Sequence, residues 1–338
     1  MKKITIIGFV MVLCMFLSNI FLTQPSWATE EKYPSKEIHQ IVPWRAGGGT
    51  DLFTRVLERL WEKKLGVPIV IENIPGGGTT IGNNKAWNAP ADGYTILVVN
   101  IGALNFSAML HNTEWTIEDW TYIGLHHTDP IIVYAHPSVP WNNIKDVMDY
   151  IIKDPGKLNV GVPESTNDQI ILIKMIEEIT GGKFGSIIPA GGGGKLLKEV
   201  MGGHIPLAFH RLWAGGIKAK AQNLKPIGIV TSKRNPLWPE LPTFDEVLPL
   251  KWRVKGPLFG YKGYAVHKKV KEKYPERFNK LVSTFKEIFD SPEHKQAADK
   301  MKLTPILDYK GPEEAMKAIK EYDEMLRKYK HLFRIGVQ

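Results

Sequence analysis

A short apolar run, a glycine-rich turn, an amphipathic stretch and a second apolar run follow one another between Ile38 and Glu72. IHQIV (38–42) has the length and β-branched content of a strand. Thr50 can cap a helix in which Phe53, Val56, Leu57, Leu60 and Trp61 recur at helical spacing, and Gly66 can end it. VPIVIE (67–72) reads as a second strand and YTILVV (94–99) as a third. Strand, glycine loop, helix, strand is the order of a parallel α/β unit, because parallel neighbours need a crossover and a helix supplies it.

The pattern resumes after Asp129-Pro130. IIVYA (131–135) is a strand, and residues 142–156 form a helix closed by Pro155 and Gly156. LNVGV (158–162), FGSII (184–188), IPLAF (205–209) and PIGIV (226–230) are further short strands with helical segments between them. Beyond Pro257 the chain reads as mostly helical and highly charged, to about Lys328. Two α/β blocks and a helical tail imply two lobes, within a length of 338 residues that permits two ordinary domains.

The first 28 residues read as an export leader. Lys2 and Lys3 begin it, an apolar core follows to Leu22, and Ser26-Trp27-Ala28 has the small-x-small exit. The apolar core approaches membrane-spanning length, but Pro25 and the small-residue exit favour cleavage after Ala28. Cys14 is the only cysteine, and Leu13 before it does not suit lipid attachment. A mature chain without cysteine excludes disulfides and thiolate metal sites. The net charge of +9 falls by two when Lys2 and Lys3 leave. Its basic residues are dispersed, clustering only at His267-Lys268-Lys269, so a nucleic-acid stripe is not expected; the balance favours an anionic solute.

Three glycine clusters stand at Gly47–Gly49, Gly76–Gly78 and Gly191–Gly194. None is a P-loop: Gly194-Lys195 is followed by Leu196, and position 189 is Pro. Nor is either of the first two a dinucleotide fingerprint, since Leu52 and Ile81 stand where the third glycine belongs. Each cluster leads toward an expected helix start, where backbone N–H groups can face an anion; tight turns alone are the alternative. His126-His127 with Asp129 invites a metal reading. Adjacent residues of an extended segment point to opposite faces, and no H-E-x-x-H exists, so no metal, and no other cofactor, is expected. No G-x-S-x-G and no mature thiol are present, and nothing indicates an enzyme. Trp44 and Trp213 sit beside glycines at strand exits, where they could wall a cleft or simply pack.

YPSKEIHQIVPWRAGGGTD and IENIPGGGTTIGNNKAWNAPADGYTIL resemble the opening of the tripartite tricarboxylate transporter receptors, the Bug-type extracytoplasmic solute-binding proteins. IIPAGGGGKLLKEVMGGHIPLAF and PELPTFDEV are similar to their later segments, in the same order. The resemblance implies an α/β, two-lobed, type II-like periplasmic binding protein with two crossovers, near Asp129-Pro130 and near Arg253 to Pro257. Lobe one would be 29–130 plus 255–338, and lobe two 131–254. It implies a non-enzymatic periplasmic receptor that closes over a small carboxylate and delivers it to membrane permease subunits, with a monomer as the expected state. A sensor for a membrane histidine kinase, or a secreted α/β hydrolase or transferase, are the alternatives.

In such receptors a carboxylate is held largely by backbone amides and bridging waters. The resemblance therefore points to Trp44, Arg45, Ala46, Gly47, Gly48, Gly49, Thr50 and Asp51, with Asn100, Ile101, Gly102 and Ala103 beside them. From the second lobe it adds Ser165, Thr166, Asn167, Ala190 and Gly191. Asp51 either braces the loop by accepting N–H bonds, a common role at a helix start, or meets an amine or hydroxyl of the ligand. Arg45 is either a solvated rim residue or a carboxylate clamp. His210 and Arg211 depart from the family pattern. If they face the cleft, the site becomes more cationic and suits a multiply charged or aromatic acid; otherwise they point outward.

Overall fold

The computed structural model describes residues 32–165, 167–212, 223–231, 233–236, 238–248 and 260–333. The chain divides into residues 1–35 and 36–338, and all the elements below lie in the second part. The expected leader, Thr166, Trp213 and the crossover at Arg253 to Pro257 lie outside the described residues.

The first unit is β1 (Ile38–Val42), α1 (Gly49–Leu65), β2 (Ile69–Asn73), α2 (Thr80–Trp87), β3 (Thr95–Asn100) and α3 (Ile101–Leu110). Then come β4 (Trp120–Thr128), β5 (Ile131–Ala135), α4 (Ile144–Lys153), β6 (Val160–Val162), α5 (Asp168–Thr180), β7 (Ile187–Pro189) and α6 (Gly193–Met201). They are followed by β8 (Leu207–Arg211), β9 (Lys225–Ile229) and α7 (Phe244–Val247). The remainder is β10 (Tyr261–His267), α8 (Lys268–Lys273), α9 (Pro275–Asp290), α10 (Pro292–Lys300), β11 (Leu307–Lys310) and α11 (Pro312–Lys328).

Two sheets result. The first runs β11-β4-β10-β3-β1-β2, with β1 parallel to β2 and β3, and with β10 antiparallel to β3 and β4. The second runs β7-β6-β8-β5-β9, with β6 parallel to β7 and β8, and β5 antiparallel to β8 and β9. The chain leaves the first sheet after Thr128, enters the second at Ile131, and is back in the first by Tyr261.

Helix α1 buries Phe53, Leu57 and Trp61, the face its periodicity marks, each burial stabilising by about 1.5–3 kcal/mol. That face meets the tail of the chain: Trp61 Nε1 donates to Thr284 Oγ1 at 3.0 Å, and its ring lies 4.9 Å from Tyr264 and 5.5 Å from Phe285. The tail is thus structural to the first sheet, and it is not only helical. The sequence reading places no strand between Val99 and Ile131 and none beyond Pro257, yet β4 and β10 are interior strands of the first sheet. YKGYAVH hides its strand character because Lys262, Gly263 and His267 interrupt the apolar pattern. Lys262 is buried to 2% exposure, which its ion pair with Asp129 at 2.7 Å permits.

A bulge in β4 overturns the expectation for its histidines. Lys262 pairs with His127 and Gly263 with Leu125, so His126 is the extra residue, and both imidazoles reach the same face. Phe53 lies 4.8 Å from each ring. His126 Nδ1 is 2.8 Å from His127 Nδ1, and His126 Nε2 is 2.7 Å from His294 Nε2. His294 Nδ1 lies 2.8 Å from the Phe289 carbonyl, which can only accept. His294 Nδ1 therefore donates and its Nε2 accepts, so His126 donates from Nε2 and accepts at Nδ1 from His127. One tautomer order runs through the three rings. Among the described residues, no group of three His, Cys, Asp or Glu is arranged to hold a metal ion.

An extra proton on His126 or His294 would remove an acceptor that the chain uses. Burial holds His126 and His127 well below the ordinary imidazole pKa, and neighbouring imidazoles and Lys262 push the same way. Burial also lowers His294, with Lys295 adding to it and the Phe289 carbonyl and Asp290 opposing. Because the folded pKa values are depressed, the unfolded chain binds more protons below about pH 6.5, and stability falls as acid is added. Each imidazole that stays neutral contributes a loss of about 1.4 kcal/mol per pH unit in that window. Urea melts between neutrality and about pH 5 check this: His126→Met should be less stable at neutral pH yet show a shallower acid slope. An identical slope in both proteins would contradict the tautomer chain.

Candidate functional site

The carboxyl ends of the parallel strands carry the candidate residues, the position from which α/β sheets present ligand loops. In the first sheet, β1 leads through residues 43–48 into α1, and β3 passes directly into α3. In the second, β6 leads into α5 and β7 into α6. The two sets meet where α3 approaches α5. A Cβ on Gly102 would lie 2.6 Å from Asp168 Oδ2 and 2.8 Å from the Tyr322 hydroxyl, so any larger residue there would have to displace those side chains.

The opening loop is held by Asp51, which is 1% exposed. Its carboxylate accepts from Gly47 N at 2.8 Å, Arg55 Nε at 3.0 Å and Asn73 Nδ2 at 2.9 Å. Asn73 Nδ2 also donates to the Trp44 carbonyl at 3.1 Å, tying the loop to the end of β2. Burial raises the Asp51 carboxyl, but the bonds from Arg55, Gly47 and Asn73 outweigh it and hold the pKa below the usual carboxylate range. Of the two roles weighed for Asp51, the brace is the one these bonds perform. Gly47 has φ +75°, so the turn needs glycine there, while Gly48 has an ordinary φ of −76° as the N-cap of α1. No side chain caps α1, which leaves the first-turn donors of Gly49, Thr50 and Asp51 as helix starts leave them. Arg55 and Asn73 were missed by the sequence reading. Arg55 had a signal, standing four residues after Asp51 on a helix; Asn73 had none.

Arg45 and Ala46 are exposed and Trp44 is half-buried. Desolvation raises the Glu164 carboxyl of the second sheet's loop and the charge of Arg45 opposes it, with no ion pair between the two. Asn100, Ile101, Gly102 and Ala103 form the start of α3, and Asn100 Oδ1 is buried with no hydrogen-bond partner among the described residues. Ser165 is exposed. Asn167 caps α5, accepting from Ile170 N at 3.2 Å and donating to the Glu164 carbonyl at 2.9 Å, so its amide is engaged in the fold. Ala190 is buried and Gly191 is exposed with φ +75°.

His210 and Arg211 do not point outward; both are buried at the end of β8. His210 faces α6, its Nε2 lying 2.2 Å from where a Cβ on Gly193 would sit. Arg211 ion-pairs with Asp168 and donates from Nη1 to the Asp129 carbonyl at 2.5 Å. The Tyr322 hydroxyl donates to Asp168 Oδ2 at 3.0 Å, and burial raises its pKa, so it stays a donor. The expected gain in cationic character from Arg211 does not follow, because its charge is matched within the protein.

Residues 53–321 match the tripartite tricarboxylate transporter family receptor. The chain belongs to that family. A UPF0065 protein of Bordetella pertussis is 30% identical over 227 residues, covering 67% of this receptor and 70% of the relative. A solved periplasmic transporter structure superposes with a TM-score of 0.75 at 25% identity, covering 90% of this chain and 100% of that one. An R. palustris protein solved with adipate gives a TM-score of 0.76 at 20% identity, with 88% and 97% covered. The receptor therefore has the two-lobed α/β fold of periplasmic solute-binding proteins. Among its described residues, no helix is long and apolar enough to cross a membrane.

Removing the brace should loosen the loop. Asp51→Ala leaves three donors without their acceptor and should cost about 2–4 kcal/mol, read by urea melts. Asp51→Asn keeps one acceptor oxygen and should cost less. The folded pKa of Asp51 is depressed, so its contribution is present above about pH 3.8 and is lost as pH falls through the lower folded value. Wild-type stability in Asp51→Ala would show that the loop holds itself.

Proposed function

We propose that this protein is a periplasmic receptor that binds a small carboxylate between its two lobes and hands it to the membrane subunits of a tripartite tricarboxylate-type transporter. In this reading residues 1–28 are an export leader, the mature chain acts as a monomer, and it performs no catalysis. The lobes are 29–130 with 255–338, and 131–254. The family match over residues 53–321 carries the reading. Further support comes from the braced glycine loop and from the meeting of α3 and α5, which bring helix starts from both sheets to one place. The adipate bound by a neighbour of the same fold agrees in chemical class.

The ligand carboxylate would lie against the first-turn amides of α1 and against Asn100 to Ala103, with Ser165, Thr166, Ala190 and Gly191 closing from the second lobe. Backbone donors suit this task because they are fixed by the fold and need no reorganisation when an anion arrives. A helix start adds up to about 2 kcal/mol for a partly buried anion.

A thermal-shift screen of monocarboxylates, dicarboxylates, tricarboxylates, aromatic acids and amino acids tests the class. A ligand at a hundred times its Kd adds about 2.7 kcal/mol, enough to move the melting point by several degrees. Gly47→Val should abolish the shift for every acid, because a branched residue cannot hold the left-handed turn. Stabilisation only by cations or neutral sugars would contradict the carboxylate reading. Small-angle scattering should show a smaller radius with the best ligand, and an unchanged profile at saturation would count against lobe closure.

A further inference from the structure

The C-terminal helix α11 is anchored on the first sheet and reaches the second. Ala315, Ile319, Tyr322 and Leu326 are fully buried at helical spacing. On the side of the first sheet, Asn105 Nδ2 of α3 donates to the Ile319 carbonyl and to Asp323 Oδ1, each at 3.4 Å, and Lys320 pairs with Glu118 at 3.0 Å. The Tyr322 hydroxyl then donates to Asp168 Oδ2 at 3.0 Å, at the first residue of α5. Further on, His331 lines one groove with Lys174, Glu177 and Glu178 of α5. Residues 322–331 thus follow α5 from its start toward its last turn.

The two ends of the Tyr322–Asp168 bond are held by different sheets. Asp168 is 3% exposed and ion-paired with Arg211, whose Nη1 is bound to the Asp129 carbonyl where the chain crosses over. It keeps that place with or without Tyr322. Tyr322 is carried by α11, and burial raises its pKa, so the hydroxyl stays a donor. Beside the bond stands Gly102 in the first turn of α3, where a Cβ would come within 2.6 Å of Asp168 Oδ2 and 2.8 Å of the hydroxyl. The bond therefore exists only while the start of α3 and the start of α5 are in contact. Any rotation that parts those two helix starts also parts the hydroxyl from the carboxylate.

We propose that Tyr322 is a positioning residue for lobe closure: its hydroxyl, on Asp168, latches the start of α5 against the start of α3 and favours the arrangement in which both sets of ligand loops converge. The proposal rests on the carboxylate cleft and adds the group that sets how readily it closes. Fully buried, Tyr322 acts without touching the ligand. What it adds to closure is added to the affinity for every acid alike. A hydrogen bond to a carboxylate shifts such an equilibrium by about tenfold.

The test uses the full receptor with Cys14→Ser and spin labels at Lys85→Cys on α2 and Lys198→Cys on α6, both exposed positions. Without added acid, Tyr322→Phe should move the ratio of shorter to longer label distances by about tenfold toward the longer. Calorimetry with butyrate, adipate, benzoate and tricarballylate should show a raised Kd for every acid that binds, with the order of preference kept. Gly102→Ala, which displaces Asp168 and Tyr322 from the other side, should act in the same direction, and it decides the matter if Tyr322→Phe does not fold. Unchanged distances or unchanged affinities in a folded Tyr322→Phe overturn the latch, even where its melting point falls. A loss confined to one acid overturns it too, since that would place Tyr322 on the ligand. If wild type binds none of the four acids, the carboxylate reading fails, while the distance ratio still decides the latch.

Discussion

Asp129 ties the two sheets together at the point where the chain crosses between them. Fully buried after β4 and before β5, it places its carboxylate on Lys262 of β10 at 2.7 Å and its carbonyl on Arg211 of β8 at 2.5 Å. Its N–H donates to the Gly260 carbonyl at 2.7 Å, which holds the returning chain beside the outgoing one. Such a cluster adds little stability over an apolar core of the same shape, because desolvation offsets the attraction. Breaking it is another matter: removing one partner costs about 3–5 kcal/mol by leaving a buried charge alone. Its contribution is geometric. With Arg211 anchored on the Asp129 carbonyl, the guanidinium is delivered to Asp168, and the second sheet is brought up to α3 and Tyr322 of the first.

The parallel units were legible because their signals are local. IHQIV and IIVYA are strands at the bounds read from sequence, and the face of α1 follows the spacing of Phe53, Leu57 and Trp61. What escaped was decided by distant partners. Lys262 belongs in a central strand only because Asp129, far away in sequence, neutralises it. His126 and His127 share a face only because Gly263 of β10 pairs with Leu125 and forces a bulge. The candidate loops were legible as glycine clusters before helix starts, and Asp51 as a residue belonging to its loop. The buried destination of Arg211 was not legible, since nothing within β8 announces Asp168 or Tyr322.

Polar groups at the sheet ends fall into two kinds. Charged side chains are committed to one another: Asp51 to Arg55, Asp168 to Arg211, Asp129 to Lys262. Helix starts are mostly left open. Helices α1, α3 and α6 follow strands of the parallel units with no side-chain cap, whereas α2, also without one, has its Thr80 and Ile81 amides on the Gly77 and Gly76 carbonyls. Away from these loops side-chain caps are more frequent, with Asn143 capping α4, Thr243 capping α7 and Ser291 capping α10, although α9 and α11 have none. A side-chain cap stabilises a helix by about 1 kcal/mol, so the three open starts are a cost to the fold. Glycine at the N-caps of α1 and α6 makes the omission explicit, since Gly48 and Gly192 have no side chain to offer. Among the described residues, five helices leave the parallel units and only α5 has a side-chain cap, from Asn167; α5 is also the helix that carries Asp168. The first-turn amides that a Ser or Asp at those caps would have satisfied remain as donors, and an anion from outside can satisfy them instead.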